Sequence, residues 1–210
     1  MWSGGKDSAL ALQRATAGGL EVTRLINFYD AATGRVRFHA TRTEMIRAQA
    51  IAAGIELRVI GTNWPTMEMR LSEELALLHE EGFVGVIFGN IHLAEVRKWY
   101  EERVRAVGLE HVEPLWGESP GQLVREFVES GCRAVITCVD LSRLDASWLG
   151  RIIDETFLDE IGATGADPCG ENGEYHSFAF RGAMFERQVT WQSGDARCES
   201  GFSQLDVLPI

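Results

Sequence analysis

Runs of β-forming residues alternate with helical stripes through the first half of this chain, and that alternation limits the fold more than any other feature. Val22 to Tyr29 reads as a strand, about Thr43 to Ala53 as a helix stopped by Gly54, and Ile55 to Ile60 as the next strand. Met67, Leu71, Leu75 and Leu78 share one helical face. The apolar run Phe83 to Phe88 predicts a buried strand, and Val96, Tyr100, Val104 and Val107 stripe a further helix ending before Gly108. Strands joined by helical crossovers pair in parallel and are covered on both faces. The expected class is therefore α/β, with a doubly wound, mostly parallel sheet.

The pattern changes near Pro114. A helix through Leu123 and Phe127 lies between Ser119 and Gly131, a strand covers Ala134 to Val139, and a helix is expected to carry Leu149, Ile152, Ile153 and Ile161. From Glu174 to Ile210 the signals are strand and turn: Phe178 and Phe180, then Arg181-Gly182, then Gln188 to Trp191. A small β-rich cap on the sheet is expected there. The division that follows is residues 1–113 and a smaller α+β domain, 114–210.

Composition narrows the partners. The 210 residues carry 20 Lys+Arg against 31 Asp+Glu, a net charge of −11, which gives no general attraction for a phosphate backbone. Nucleic acid is not an expected partner. Hydrophobic residues at 45% and charged residues at 24% are ordinary globular usage, so disorder is not indicated. No apolar run approaches about 18 residues, and Gly4, Gly5 and Lys6 follow Met1 too closely for a signal peptide. A cytoplasmic protein with no membrane partner is expected. Cys132, Cys138, Cys169 and Cys198 form no C-x-x-C pair and read as four reduced thiols.

Two short segments carry the chemistry. Ser3-Gly4-Gly5-Lys6-Asp7-Ser8 leads into a helix running to about Ala17, stopped by Gly18-Gly19. A helix N-terminus offers unpaired N–H groups and the positive end of the helix dipole, and glycines let a phosphate approach the backbone. Lys6 adds a point charge, and Ser3 and Ser8 add hydroxyls, so the loop reads as a phosphate cradle. It lacks the G-x-x-x-x-G-K-[ST] spacing of a Walker A loop. The second segment is Cys169-Gly170-Glu171-Asn172-Gly173-Glu174-Tyr175-His176-Ser177-Phe178. Two carboxylates and a histidine within six residues can bind a metal, pair with a cationic group or position ammonia, or form only a solvated hairpin entrance.

The first hexapeptide resembles the SGGxDS pyrophosphate loop of the ATP pyrophosphatases, the adenine nucleotide alpha hydrolase group with a HUP-like fold. The second resembles the GE-x-GEYH-[ST] signature of the diphthine-ammonia ligase family, which also carries an SGGKDS loop. Gly89-Asn90-Ile91, Arg97, Glu101, Pro114-Leu115-Trp116 and Leu149-Gly150 follow in the family's order, so the resemblance covers nearly the whole chain. It suggests a bacterial-type member.

The resemblance implies an ATP-dependent ligase that adenylates a substrate carboxylate, releases pyrophosphate, and passes the acyl group to ammonia with loss of AMP. By that similarity Ser3, Gly4, Gly5, Lys6 and Ser8 hold the departing phosphates, Asp7 contacts Mg²⁺, and His39, Gly89 and Arg97 border the nucleotide. Lys6, Asp7, Glu171, Glu174 and His176 are the expected catalytic set. Glu171 and Glu174 would face a cationic substrate group or ammonium, with Tyr175 and Trp116 as aromatic walls. The partners implied are ATP, ammonia, and a carboxylate on diphthine of an elongation factor or on a small metabolite; a homodimer is left open.

The chain departs from the family pattern at Asn90, where an acid is common, and at Trp99, where eukaryotic ligases have a second arginine. Gly182-Ala183-Met184-Phe185 replaces G-P-L-F, and only Met1-Trp2 precede Ser3, where the family has a full strand. The first strand is therefore expected to be missing. Three other readings stand beside the ligase: a nucleotide sensor without ligase activity, a pyrophosphatase acting on a small metabolite, and a tRNA-thiolating enzyme. The charge of −11 and the lack of paired cysteines oppose the last.

Overall fold

The computed structural model describes residues 1–210. Its first half is built from two parallel strand pairs. β1 (Arg24–Asp30) pairs in parallel with β3 (Glu56–Thr62) over seven residues, and the short β2 (Arg35–Val36) adds antiparallel to the end of β1. β4 (Gly85–Ile87) pairs in parallel with β5 (Glu110–Val112).

Met1 and Trp2 lie between the two pairs. The Trp2 amide donates to Ile26 O at 2.7 Å, and the terminal amine of Met1 donates to Ile87 O at 2.6 Å. Asn27 Nδ2 donates to Trp2 O at 2.8 Å. These two residues thus bridge β1 to β4, giving the lateral order β3, β1, Met1-Trp2, β4, β5.

Helices α1 (Lys6–Ala17), α2 (Thr43–Ala53), α3 (Met67–Glu80) and α4 (Ala94–Ala106) alternate with these strands. α2 ends where the sequence places it, because Gly54 adopts the left-handed conformation at φ 65° and its N–H closes back on Ala50 O and Ile51 O. α3 buries Leu71, Leu75 and Leu78 against Val86 and Phe88 of the β4 segment.

The second half adds α5 (Pro120–Glu129), β6 (Arg133–Asp140), β7 (Ile152–Ile153), α6 (Glu155–Ile161), β8 (Tyr175–Arg181), β9 (Gln192–Glu199) and β10 (Phe202–Leu208). The strands form a separate antiparallel sheet in which β6 pairs with β7, β8 and β10, and β10 pairs with β9. The fold is α/β, a HUP-like parallel part with a smaller antiparallel part. The largest core cluster draws on both, from Trp2, Leu10, Met45 and Ile46 to Phe127, Val135, Ile136 and Phe178. No helix is long and apolar enough to cross a membrane.

Three sequence expectations differ from the structure. The helix expected through Leu149, Ile152 and Ile153 begins only at Glu155, because the Asp154 side chain caps it by accepting from Phe157 N, while Ile152–Ile153 pairs with β6. Gln188 to Trp191 is not strand, and β9 starts at Gln192. β5 has no counterpart in the expectations; its three residues are too few to show an alternation.

Candidate functional site

The first turn of α1 and the loop before β8 face each other across a cavity of about 730 Å³. Gly5 is the N-cap of α1 in extended conformation, and no side chain caps the helix. Its Lys6 amide donates to Ser177 Oγ at 3.2 Å, and Gly5 N to Ser3 Oγ at 3.3 Å. The Asp7 and Ser8 amides have no protein acceptor. They are the free donors that a helix start presents to an anion.

The loop is sewn to the second half of the chain. Gln49 Nε2 donates to Gly4 O at 2.8 Å and to Ala179 O at 2.6 Å, and Ala179 N donates to Gly4 O at 2.8 Å. Gly4 is required twice over: its φ is +81°, and a Cβ there would stand 2.6 Å from both Gln49 Oε1 and Ile46 Cδ1. At Gly89 a Cβ would stand 2.9 Å from the Asp7 carbonyl carbon, so the end of the β4 segment packs directly on the first turn of α1.

Lys6 is buried. Its ammonium lies 2.8 Å from both Asp7 carboxylate oxygens, donates to Cys169 O, and sits 5.2 Å from the Tyr175 ring centre. Burial opposes the Lys6 charge, and Asp7, Tyr175 and Cys169 together outweigh it, so the lysine stays well above its ordinary value.

The opposing loop is held by its own polar network. Glu171 Oε1 accepts the Ile91 amide at 3.0 Å, and burial followed by repulsion from Asp7 pushes its carboxyl up to about 7. Asp167 accepts the Cys169 amide at 2.7 Å and lies 3.0 Å from His92 Nε2, tying this loop to the segment after β4. His39 Nδ1 contacts Ser177 O at 3.0 Å, and its ring centre is 4.8 Å from that of His176. Burial lowers the His39 pKa. It lowers that of His176 further, with His39 and Lys6 acting in the same direction.

Ser3, Lys6, Asp7, Ser8, His39, Gly89, Glu171 and His176 all line the cavity. Gly4 and Gly5 are not among its lining residues: Gly4 packs on Gln49 and Ile46, and Gly5 on the His39 ring. Two expected residues stand elsewhere. Glu174 is buried behind the loop, where it meets Arg143 Nη1, Asn172 Nδ2 and Asp167 N, each at 3.3 Å. Arg97 pairs with the buried Glu113 at 3.1 Å and covers the Trp116 ring at 4.4 Å, while Asn90 Nδ2 donates to Glu113 at 2.7 Å. The faces of Tyr175 and Trp116 are thus approached by Lys6 and Arg97 respectively.

Sequence reasoning missed Asn27 and Phe28 in the middle of β1, Phe38 beside His39, Met67 and Tyr100 on the helices, and Arg143.

No group of three or more His, Cys, Asp or Glu side chains gathers to hold a metal alone. Magnesium takes one or two carboxylates together with substrate phosphates, and Asp7 with Glu171 at the helix N-terminus is a donor set of that kind. Burial first, and then their mutual repulsion, raises the Glu171 pKa, and a divalent cation would relieve the repulsion.

Fold and site together define an α/β protein of the HUP-like class, with a glycine loop opening a helix onto a cavity beside the ends of its parallel strands. Two sequence profiles match, the diphthamide synthase N-terminal domain over residues 1–111 and the diphthamide synthase C-terminal domain over residues 119–206. The chain belongs to the diphthamide synthase family. It is 27% identical to the diphthine–ammonia ligase of Homo sapiens over 221 residues, covering 92% of this chain and 82% of the human protein. It is 28% identical to that of Rattus norvegicus over 224 residues, with the same coverage, and 30% identical to that of Mus musculus over 131 residues, covering 60% of this chain and 49% of the mouse protein.

Proposed function

We propose that this protein is an ATP-dependent ligase that activates a substrate carboxylate as an acyl-adenylate and converts it to an amide with ammonia. The observation that carries this reading is the shared cavity: the anion-accepting start of α1 and the acidic Gly170–Gly173 loop line one space, so a nucleotide and a second reactant can meet there. The relatives' name supplies diphthine and ammonia as the reactants to try first.

In this reading the free Asp7 and Ser8 amides, the Ser3 and Ser8 hydroxyls and the Lys6 ammonium receive the β- and γ-phosphates. Their alignment favours charge building on the departing pyrophosphate over charge spread in the ground state. Asp7, with Glu171 beside it, would hold Mg²⁺, which when bound neutralises phosphate charge. His39, Gly89, Asn27 and Phe28 border the nucleoside, and Glu171 faces the incoming nitrogen. Residues 1–113 serve as the ATP-binding unit and 114–210 as the substrate-recognition unit, joined at the loop by the Ala179 to Gly4 hydrogen bond and by Gln49, which donates to both.

Glu174 acts differently in this account. Its bonds to Arg143 and Asn172 make it a brace for the loop and not a contact for substrate. The test is product analysis with ATP labelled at the α-phosphate, in the presence of magnesium, ammonium and elongation factor 2 bearing diphthine. Labelled AMP that requires the acceptor supports the reading. ADP would replace it with γ-phosphate chemistry, and nucleotide binding without turnover would make the protein a sensor.

A further inference from the structure

Amide formation from an acyl-adenylate needs a place for a proton. The nitrogen lone pair forms the C–N bond, the bond from the acyl carbon to the phosphate oxygen breaks, AMP leaves with that electron pair, and the nitrogen must shed a proton. We infer that His176 accepts this proton, an assignment that rests on the ligase reading above.

Most of the other ionisable groups on the cavity wall are bonded to protein or have no lone pair to offer a proton. Lys6 is a cation bound to Asp7 and Cys169 O, and Asp7 has both oxygens on Lys6. Glu171 holds the Ile91 amide, and the Tyr175 hydroxyl donates to Pro168 O at 2.6 Å. A guanidinium offers donors only, so Arg37 and Arg143 cannot accept. His39 donates its Nδ1 proton to Ser177 O, which fixes the tautomer and leaves Nε2 as its one accepting nitrogen. His176 alone has neither ring nitrogen hydrogen-bonded to protein, and neither is sealed from the cavity space.

The ring is also held in place. Its backbone lies in β8 opposite Cys138 of β6, and Thr137 Oγ1 contacts His176 O at 3.3 Å. Phe38 stacks on it with ring centres 5.8 Å apart and 28° between planes, and His39 closes another side at 4.8 Å. Phe38 takes this position with φ 63° and Ala40 follows at φ 58°, left-handed conformations that cost a non-glycine residue energy and recur where side chains are aimed for function. The His39 ring in turn lies against Gly5, where a Cβ would stand 2.6 Å from His39 Cε1, so the His176 imidazole is one ring removed from the α1 N-terminus where the phosphates are placed. Burial beside Lys6 and His39 keeps it in the neutral form that can take a proton.

The test compares wild type with His176→Gln, using elongation factor 2 bearing diphthine as acceptor. Acceptor-dependent exchange of labelled pyrophosphate into ATP reads the first step alone. Amide formation with ammonium reads both steps, and hydroxamate formation with hydroxylamine reads both with a nucleophile that is already unprotonated at neutral pH. The expected pattern is exchange within about threefold of wild type, amide formation down by about 10²–10³-fold, and hydroxamate formation within about tenfold. Equal losses with ammonium and hydroxylamine, or no loss with ammonium, would overturn the assignment. Loss of exchange in both His176→Gln and His176→Asn at native melting temperature would overturn it too, placing the ring in the nucleotide site. Absence of exchange in wild type would show instead that the ligase reading has failed, and the inference would fall with it.

Discussion

Replacing Glu171 by Gln separates the energetic strain in this site from its chemistry. The carboxyl is pushed from its ordinary 4.5 up to about 7, first by burial and then by Asp7. A carboxyl raised in the folded state binds its proton more tightly than in the unfolded chain. Below about pH 4.5 both states are protonated and the fold loses nothing. Between about 4.5 and 7 the unfolded chain ionises first, so stability falls as pH rises, and above about 7 the loss is complete. At about 1.36 kcal/mol for each tenfold change in proton affinity, the distance from 4.5 to about 7 comes to about 3 kcal/mol. A glutamine side chain at this position cannot ionise, and its amide oxygen can still accept the Ile91 N–H.

The variant is therefore expected to match wild type near pH 4.5 and to exceed it at pH 8 by about 3 kcal/mol, or about 6–12 °C in melting temperature for a chain of this size. Thermal unfolding by fluorescence at closely spaced pH values, without nucleotide, measures it. Other titrating groups are common to both proteins and cancel in the difference. A gap that does not change with pH would refute the reasoning, because it would mean that Glu171 is not ionising against burial and Asp7. Ligase activity is expected to fall in the same variant, so stability and function move in opposite directions at one residue.

Lys6→Ala should lower acceptor-dependent AMP formation by about 10²–10³-fold, the loss of one charge-stabilising donor, and unchanged turnover would remove Lys6 from the phosphate site. Asp206→Asn should destabilise by about 2 kcal/mol, since Asp206 joins Arg35 at 2.7 Å and Arg42 at 2.6 Å and so pins the turn that carries His39. Those two guanidiniums hold the Asp206 carboxyl well below its ordinary 3.8, so this stabilisation is full above about pH 4 and lost as pH falls through the folded value; equal melting temperatures at pH 7 would contradict it.

How far the sequence discloses this molecule depends on the range of the interactions involved. α2 with its Gly54 stop, the Leu71, Leu75 and Leu78 face and the β6 run are local patterns and appear where expected. β5 is three residues long, and the pairing of β6 with β10 joins residues more than 60 apart, so neither leaves a periodic trace. Ile152 and Ile153 fit a helical stripe equally well, and only the Asp154 cap and the β6 partner decide against it. In the site, the two motif loops are legible because glycines, charges and hydroxyls cluster in each. The separate placement of Glu174 and Arg97 is not, because it follows from Arg143 and Glu113, which are distant from them in sequence.

The most direct test of the account follows nitrogen. Wild-type protein, ATP, magnesium, diphthine-bearing elongation factor 2 and ¹⁵N-ammonium are combined, and nucleotides and acceptor mass are quantified together. The account requires one AMP and one pyrophosphate for each acceptor that gains a ¹⁵N amide. ADP as the product, or AMP formed without ¹⁵N in the acceptor, would contradict it.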